Sequence, residues 1–293
     1  MAEFETISCG ALSARVDHHG AQLVSLAGEA GEYLWQGDKR WWGGHAPVLF
    51  PIVGTLREGR ATSAQGPVTL RRHGLARDRD FVVVENAGSS VTLRLDSDDE
   101  TRALFPFDFR LEMTYALDGD SLTQTYAVTN TGEVPLPYTL GGHPAFNVPA
   151  PGASDAFEDY RVEFSEPWTY AAPAMDLTTG LIDNADRRPV LEGSATLPMS
   201  HRLFDLDALV FEDVPGRTVR LVGPEGHGVQ VDFDGFDYLG IWSASGDAPF
   251  VALEPWRGTA TTSDEDDQFE SKRGTDVLEP GEESQYSFMI RPF

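Results

Sequence analysis

Apolar and polar residues alternate along much of this chain with a period of two residues. Within residues 110–117, every second side chain is apolar from Leu111 to Leu117. Such alternation is typical of antiparallel strands that bury one face and expose the other. The dipeptide Asp118-Gly119 is typical of tight hairpin turns and predicts a paired strand beginning near Leu122. The same alternation predicts further strands at residues 91–95, 229–233 and 286–290.

Helical patterns are rare in this sequence. One short helix is predicted at Asp98–Leu104, with Ser97 as its N-cap and Pro106 just beyond its end. The 29 glycines and 19 prolines interrupt nearly every other candidate helix. Many short strands separated by such turns predict an all-β fold, an antiparallel sandwich with few short helices. No break in composition indicates a linker, so residues 1–293 are expected to form a single domain.

The charge balance narrows the possible partners. The chain carries 47 Asp and Glu against 22 Lys and Arg, a formal net charge of −25, which argues against nucleic acid and anionic membranes. The acidic residues 264–267 are expected to form a solvated loop. The N-terminus lacks a signal-peptide pattern, and no apolar run reaches the roughly 18 residues of a membrane span. We expect a cytoplasmic monomer or homodimer, and Cys9 as the single cysteine excludes an internal disulfide.

Three segments differ from ordinary strand sequence. They lie at residues 71–77, 141–147 and 253–258, and they place His73, His143 and Glu254 among glycine, proline or aromatic residues. Loops that deliver an ionisable group into a pocket often have this composition. Each segment alone is weak evidence, because single histidines are often structural and single glutamates are often merely solvated.

The order of four tracts carries more information. Pro47–Gly54, His73–Arg77, Gly142–Phe146 and Glu254–Trp256 occur in an order that resembles the aldose 1-epimerase (galactose mutarotase-like) superfamily. The likeness is greatest to its bacterial LacX-like branch and covers essentially the whole chain. It implies a large antiparallel β-sandwich, sometimes called a supersandwich, in agreement with the strand pattern.

The resemblance also implies roles for individual residues. Glu254 matches the general base of the family, and His143 matches the general acid. His73 matches a second histidine that binds and polarises the sugar near its ring oxygen. Arg57 and Asp207 resemble residues that hold the sugar, although these two matches are shorter.

These residue types suit an anomerisation reaction. Mutarotation opens a cyclic hemiacetal by taking a proton from the C1 hydroxyl and delivering one to the ring oxygen. A carboxylate can take the first proton and a protonated imidazole can give the second. The scheme needs no metal and no cofactor. Trp242 or Trp256 is expected either to pack in the core or to offer a flat apolar face to a sugar ring.

Other functions remain open on the sequence alone. A hexose-6-phosphate epimerase would need convergent cations, which Arg57, Arg72 and Arg77 can supply. A non-catalytic carbohydrate-binding protein would keep the aromatic face without needing all three ionisable groups. A glycosidase needs two flanking carboxylates and leaves the two histidine loops unexplained. The adjacent pair His18-His19 has the wrong spacing for a helical zinc site, so no metal is expected.

Overall fold

The computed structural model describes residues 3–293, which contain 23 β-strands. In chain order the strands are β1 (Phe4–Cys9), β2 (Leu12–Asp17), β3 (Leu23–Gly28), β4 (Gly31–Glu32), β5 (Val48–Leu49), β6 (Arg60–Ser63), β7 (Gly66–Thr69), β8 (Val82–Asn86), β9 (Ser90–Asp96), β10 (Phe109–Asp118), β11 (Ser121–Asn130), β12 (Leu136–Tyr138), β13 (Leu140–Gly142), β14 (Ala145–Asn147), β15 (Arg161–Met175), β16 (Ile182–Pro198), β17 (Leu209–Glu212), β18 (Thr218–Val222), β19 (Gly228–Asp232), β20 (Tyr238–Trp242), β21 (Phe250–Arg257), β22 (Asp276–Leu278) and β23 (Glu283–Pro292). The predicted all-β class is confirmed.

Helices are few and short. The single α-helix among these residues, α1 (Asp99–Arg102), begins one residue later than predicted. Ser97 is not its N-cap, because the Asp98 carboxylate accepts the Thr101 N–H at 2.7 Å and the Ser97 hydroxyl bonds Asp108 instead. None of the helices in residues 3–293 is long and apolar enough to cross a membrane. The 3-10 helices span Arg57–Gly59, Ala76–Asp78, Phe157–Asp159, His201–Phe204, Pro215–Arg217 and Phe269–Ser271.

Two large antiparallel sheets dominate the architecture. The nine-stranded sheet has the order β16-β15-β18-β19-β23-β11-β10-β9-β8 and holds all the strands predicted from alternation. Asp118 pairs with Ser121, which confirms the tight hairpin between β10 and β11. The six-stranded sheet has the order β17-β20-β21-β13-β5, with β14 also paired to β21. There are three smaller sheets. One has the order β1-β2-β3-β4, one pairs β6 with β7, and one pairs β12 with β22.

The two large sheets pack face to face. A Cβ atom at Gly142 of the six-stranded sheet would lie 2.7 Å from the Phe288 ring and 3.0 Å from the Tyr126 hydroxyl of the nine-stranded sheet. Only glycine permits so close an approach. Leu253 and Ile241 of the six-stranded sheet share one buried apolar cluster with these aromatic side chains. The nine-stranded sheet buries one face in this way and therefore alternates, whereas β20 and β21 of the six-stranded sheet are buried on both faces.

The hairpin formed by β15 and β16 reaches from the nine-stranded sheet to the edge of the six-stranded one. Its tip, residues 176–181, is followed by Ile182, whose N–H donates to the carbonyl of Thr261 at 3.1 Å. The Ser263 N–H donates back to the carbonyl of Ile182 at 2.8 Å. The tip therefore docks on the segment that follows β21.

Candidate active site

His143 and Glu254 are brought together by strand register. β13 and β14 both pair with β21, and the partners of Gly141 and Ala145 show the same register on either side of the interruption between these two strands. His143 lies in that interruption, directly opposite Glu254. Opposite residues in an antiparallel pair point to the same face. His143 Nε2 consequently lies 3.3 Å from Glu254 Oε2.

Trp256 shares this face with Glu254, because the two are separated by one residue along β21. Its indole lies across two glycines of the neighbouring strands. A Cβ atom at Gly240 would meet the indole at 2.4 Å and one at Gly141 would meet it at 2.6 Å. Any larger residue at these positions would displace Trp256, so the glycines define a flat apolar floor beside the carboxyl group.

His73 enters from a loop between β7 and β8 in a left-handed backbone conformation, with φ +69°. Non-glycine residues seldom adopt this conformation, and it is often found at functional sites. The backbone N–H of Gly54 donates to His73 Nδ1 at 3.2 Å. Because an amide can only donate, Nδ1 carries no proton, and neutral His73 presents an Nε2–H donor. Gly74 follows with φ +80° and packs against the Phe50 carbonyl, where a Cβ would lie at 2.2 Å.

Aromatic rings enclose His143. The indole of Trp42 stacks on the imidazole at 4.8 Å between ring centroids, with 24° between the planes. Trp242 meets His143 edge-on at 5.5 Å, and His73 does so at 5.6 Å. Trp42 is absent from the sequence predictions. The sequence feature that could have indicated it is a pair of adjacent tryptophans. The pair lies in a loop rich in glycine and charged residues, outside any alternating pattern.

Burial shifts the proton affinities of the pair in opposite directions. Burial lowers the pKa of His143 to about 3, and the nearby Arg77 and Arg72 add to that fall. Burial also raises the pKa of Glu254 well above its usual range, and the Asp207 carboxylate adds to the rise, while Trp256 and Arg72 oppose it. Both pKa shifts arise because burial away from water disfavours the charged form of each group. Burial, with His143, Arg77 and Arg72, likewise holds the pKa of His73 well below its usual range.

A polar rim stands opposite the aromatic floor. Arg72 and Asp207 form an ion pair, with Nη1 3.2 Å from Oδ2, and both line the cavity. Asp207 also has a left-handed backbone, with φ +68°. Arg77 lines the same cavity and makes no side-chain hydrogen bond or ion pair with any residue in the described range. Predicted residues from five separate loops and strands therefore meet here.

Arg57 does not line this cavity, contrary to the expectation that it holds the sugar. Its Nε donates to both carboxylate oxygens of Asp267, at 3.0 and 3.1 Å. Its Nη2 donates to the carbonyls of Thr262, Ser263 and Glu265, each at 3.2 Å. These contacts occupy the guanidinium in a neighbouring loop, so the short local match to the family arginine did not indicate its position in space.

The cavity has a volume of about 240 Å³, and His143 and Glu254 both line it. Glu254 is 1% exposed, and its Oε2, although 3.3 Å from His143 Nε2, forms no hydrogen bond of good geometry with any of residues 3–293. His143 Nδ1 likewise finds no partner in another described residue. Buried polar atoms are nearly always satisfied, so unpartnered ones at a cavity indicate where the polar atoms of a ligand bind. Within the same range, no group of three or more His, Cys, Asp or Glu is placed to hold a metal ion.

The antiparallel sandwich and this cavity define a protein of the galactose mutarotase-like fold. A sequence model of the aldose 1-epimerase family matches residues 5–288. The chain therefore belongs to the aldose 1-epimerase family, as the resemblance implied.

Relatives support this assignment along the whole chain. The chromosomal LacX protein of Lactococcus lactis subsp. lactis is 38% identical over 279 residues, covering 92% of this chain and 93% of LacX. A galactose mutarotase related enzyme from Lactobacillus acidophilus has a TM-score of 0.93 at 30% identity, covering 99% of this chain and 97% of its own. A galactose mutarotase-like protein from Lactobacillus casei has a TM-score of 0.89 at 31% identity, covering 99% and 100% of the two chains.

Proposed function

We propose that this protein is an aldose 1-epimerase that interconverts the α and β anomers of a hexose by acid–base ring opening. The observation that supports this proposal most directly is the buried contact between His143 Nε2 and Glu254 Oε2, at 3.3 Å, in the wall of the cavity. A base and an acid on one face can reach the C1 hydroxyl and the ring oxygen of the same sugar.

The proton count of the pair fits this reaction. Ring opening takes one proton from the C1 hydroxyl and gives one to the ring oxygen, so the pair holds a single proton before and after the step. Either the imidazole carries it beside a carboxylate, or the carboxyl carries it beside a neutral imidazole. Both arrangements have no net charge, so the buried pair never has to hold an unbalanced charge. Ring closure on the other face returns the pair to its starting arrangement.

His73 suits a different role from His143. Because its Nδ1 is occupied by the Gly54 N–H, its Nε2–H can donate to an oxygen of the sugar while the ring stays neutral. This arrangement supports a polarising hydrogen-bond donor, whereas His143, with its Nε2 3.3 Å from Glu254 Oε2, is the imidazole placed to act with the carboxyl group in proton transfer. The indoles of Trp242 and Trp256 provide apolar surface for the carbon face of the ring.

The test is the rate of anomer exchange of glucose and galactose, measured by polarimetry with the uncatalysed rate subtracted. Glu254→Gln keeps the shape of the side chain and removes only its ability to take up a proton, so the melting temperature should hold. We expect its rate to fall by roughly 10²–10⁴-fold, the usual contribution of a general base.

Glu112→Gln, on β10 and remote from the cavity, is the control and should retain the wild-type rate. An undiminished rate in Glu254→Gln would remove Glu254 from the base role. A wild-type protein that binds sugars without exchanging their anomers would instead be a carbohydrate-binding protein.

A phosphorylated hexose is the second candidate, supported by Arg77. This cation faces the cavity without a carboxylate partner among residues 3–293, whereas Arg72 is engaged by Asp207. An unpaired guanidinium can bind phosphate through paired hydrogen bonds. Glucose 6-phosphate in the same assay distinguishes the two. Anomerisation confined to the phosphorylated sugar, and weakened in Arg77→Ala, would favour this substrate over the neutral one.

A further inference from the structure

Arg57 and Lys272 both donate hydrogen bonds to the same loop. We call residues 259–267, which follow β21, the 259–267 loop. Arg57 binds the carbonyls of Thr262, Ser263 and Glu265 and the carboxylate of Asp267. One planar guanidinium thus holds four groups of the loop, which a lysine with its single nitrogen could not match.

Lys272 is the second cation, and the proposed chemistry does not use it. It is 4% exposed, and its Nζ donates to the carbonyl of Thr259 at the start of the loop. Burial lowers its pKa to about 8, with Glu265 acting in the opposite direction. A buried ammonium group costs stability. Lys272 therefore costs stability while its ammonium group bonds a single carbonyl, so its presence needs an explanation.

The 259–267 loop forms part of the cavity wall and supports His73. Ala260 lines the cavity and packs against Gly54, where a Cβ atom would lie 2.4 Å from the Ala260 methyl. Gly54 in turn holds His73 through two hydrogen bonds, its N–H to Nδ1 and its carbonyl to the His73 N–H at 2.7 Å. A shift of the loop would therefore move the imidazole that we assign to sugar binding.

The loop also anchors the β15–β16 hairpin tip. Thr261 accepts from Ile182, and the Thr261 N–H donates to the carbonyl of Thr55 at 2.9 Å. The Thr55 hydroxyl donates to the carbonyl of Gly180 in the tip at 3.0 Å. Thr55, Gly180 and Ile182 all line the cavity. Loop, tip and His73 form one connected part of the cavity wall.

We propose that Arg57 and Lys272 are positioning residues that clamp the 259–267 loop and thereby fix the sugar-binding wall of the active site. The kinetic effect expected of this clamp rests on the proposed function, whereas its structural effect follows from the hydrogen bonds alone. It explains why Arg57 lies beside the cavity without entering it. Two acidic residues of the loop partly balance the cations, because Asp267 pairs with Arg57 and Glu265 opposes the effect of burial on Lys272.

The test uses two variants that weaken the clamp without touching the sugar. Arg57→Lys keeps the charge and loses most of the hydrogen bonds. Lys272→Met keeps the volume and removes the buried charge. Arg94→Lys is the matched control, because Arg94 pairs with Glu112 at 3.0 Å and is 31% exposed, as Arg57 is. Kinetics, melting temperature and amide exchange of residues 176–183 and 259–267 are measured for each.

In both clamp variants we expect KM to rise about 3- to 10-fold, the equivalent of one weakened hydrogen bond, with a smaller change in kcat. Amide exchange should accelerate in the two segments and stay unchanged in β10 and β11. Lys272→Met should melt no lower than the wild type, because it removes a costly buried charge.

Unchanged KM with unchanged exchange would overturn the clamp. A loss of activity that follows a lower melting temperature and faster exchange throughout the molecule would also overturn it, since that pattern indicates a general folding role. If the wild-type protein does not exchange anomers, the proposed function fails, while local exchange in the two segments still tests the clamp.

Discussion

The two sides of the active site are built by different means. On one side, His143 and Glu254 lie opposite each other on paired strands, and their distance is fixed by backbone hydrogen bonds on both flanks. On the other side, His73 and Asp207 come from loops with left-handed backbone at the functional residue itself. The first side is part of the sheet, and the second is assembled from separate loop segments.

This difference indicates a division of labour. The proton-transferring pair requires a constant separation, which strand register provides because slipping one strand by one residue would turn its side chain away from the face that its partner's side chain occupies. The groups that hold the sugar need only converge on its hydroxyls, and loops can vary without disturbing the sheet. We therefore expect the chemistry to be less tolerant of change than the sugar preference.

Substituting one histidine on each side tests this division, and it has the largest expected effect. His143→Asn removes the proton donor and should lower the anomer-exchange rate by roughly 10²–10³-fold. His73→Asn keeps a side chain that tolerates positive φ and a hydrogen-bond donor, so we expect a loss nearer to 10-fold, mainly in KM. Polarimetry at several sugar concentrations measures both. A larger loss in His73→Asn than in His143→Asn would reverse the proposed roles.

Gly240→Ala tests the floor of the sheet side, with an intermediate effect. Its new methyl group would lie 2.4 Å from the Trp256 indole, which must tilt toward the cavity. We expect a destabilisation of about 1–3 kcal/mol from overpacking and a raised KM. Gly28→Ala in β3 is the control, since its Cβ would make an ordinary contact at 3.4 Å. Thermal unfolding and sugar kinetics report the outcome, and equal behaviour of the two variants would exclude a role for Trp256 packing.

The pH dependence has the smallest expected effect and concerns the sheet side alone. The pair gains a second proton only at low pH, because burial lowers the pKa of His143, and it loses its last proton only at raised pH, because burial raises that of Glu254. The catalysed rate should therefore stay nearly constant through about pH 6.5, where an exposed imidazole titrates, with the acid limb well below that pH and the basic limb well above the usual pKa of a carboxyl group. If the catalysed rate instead fell as the pH was lowered through about 6.5, His143 would titrate as an exposed imidazole does.

Local sequence was informative where one strand or one turn decides the structure. The alternation in β10 and the Asp118-Gly119 turn predicted the central hairpin, since side-chain direction along a strand follows from backbone geometry. The helix cap was misplaced by one residue because Ser97 and Asp98 are both good caps, and only the position of Asp108 decides between them. Residue type alone does not rank two adjacent candidates.

Long-range placement was harder to predict, as Arg57 and Trp42 show. The short match around Arg57 gave its residue type, but the acidic 259–267 loop determines where its guanidinium goes. Trp42 lies in an irregular loop and is held at the site by packing against His143, Trp242 and Phe250, which are distant in the chain. Loop conformations depend on what the rest of the chain places beside them.

The sequence by itself determined the all-β class, the hairpins and the order of motifs that marks the aldose 1-epimerase family, because these depend on periodicity and residue type. Only the tertiary structure decided that His73, His143 and Glu254 share one cavity and that Arg57 stands outside it. Sheet register and loop packing bring together residues distant in the chain, and both depend on contacts that no local pattern contains.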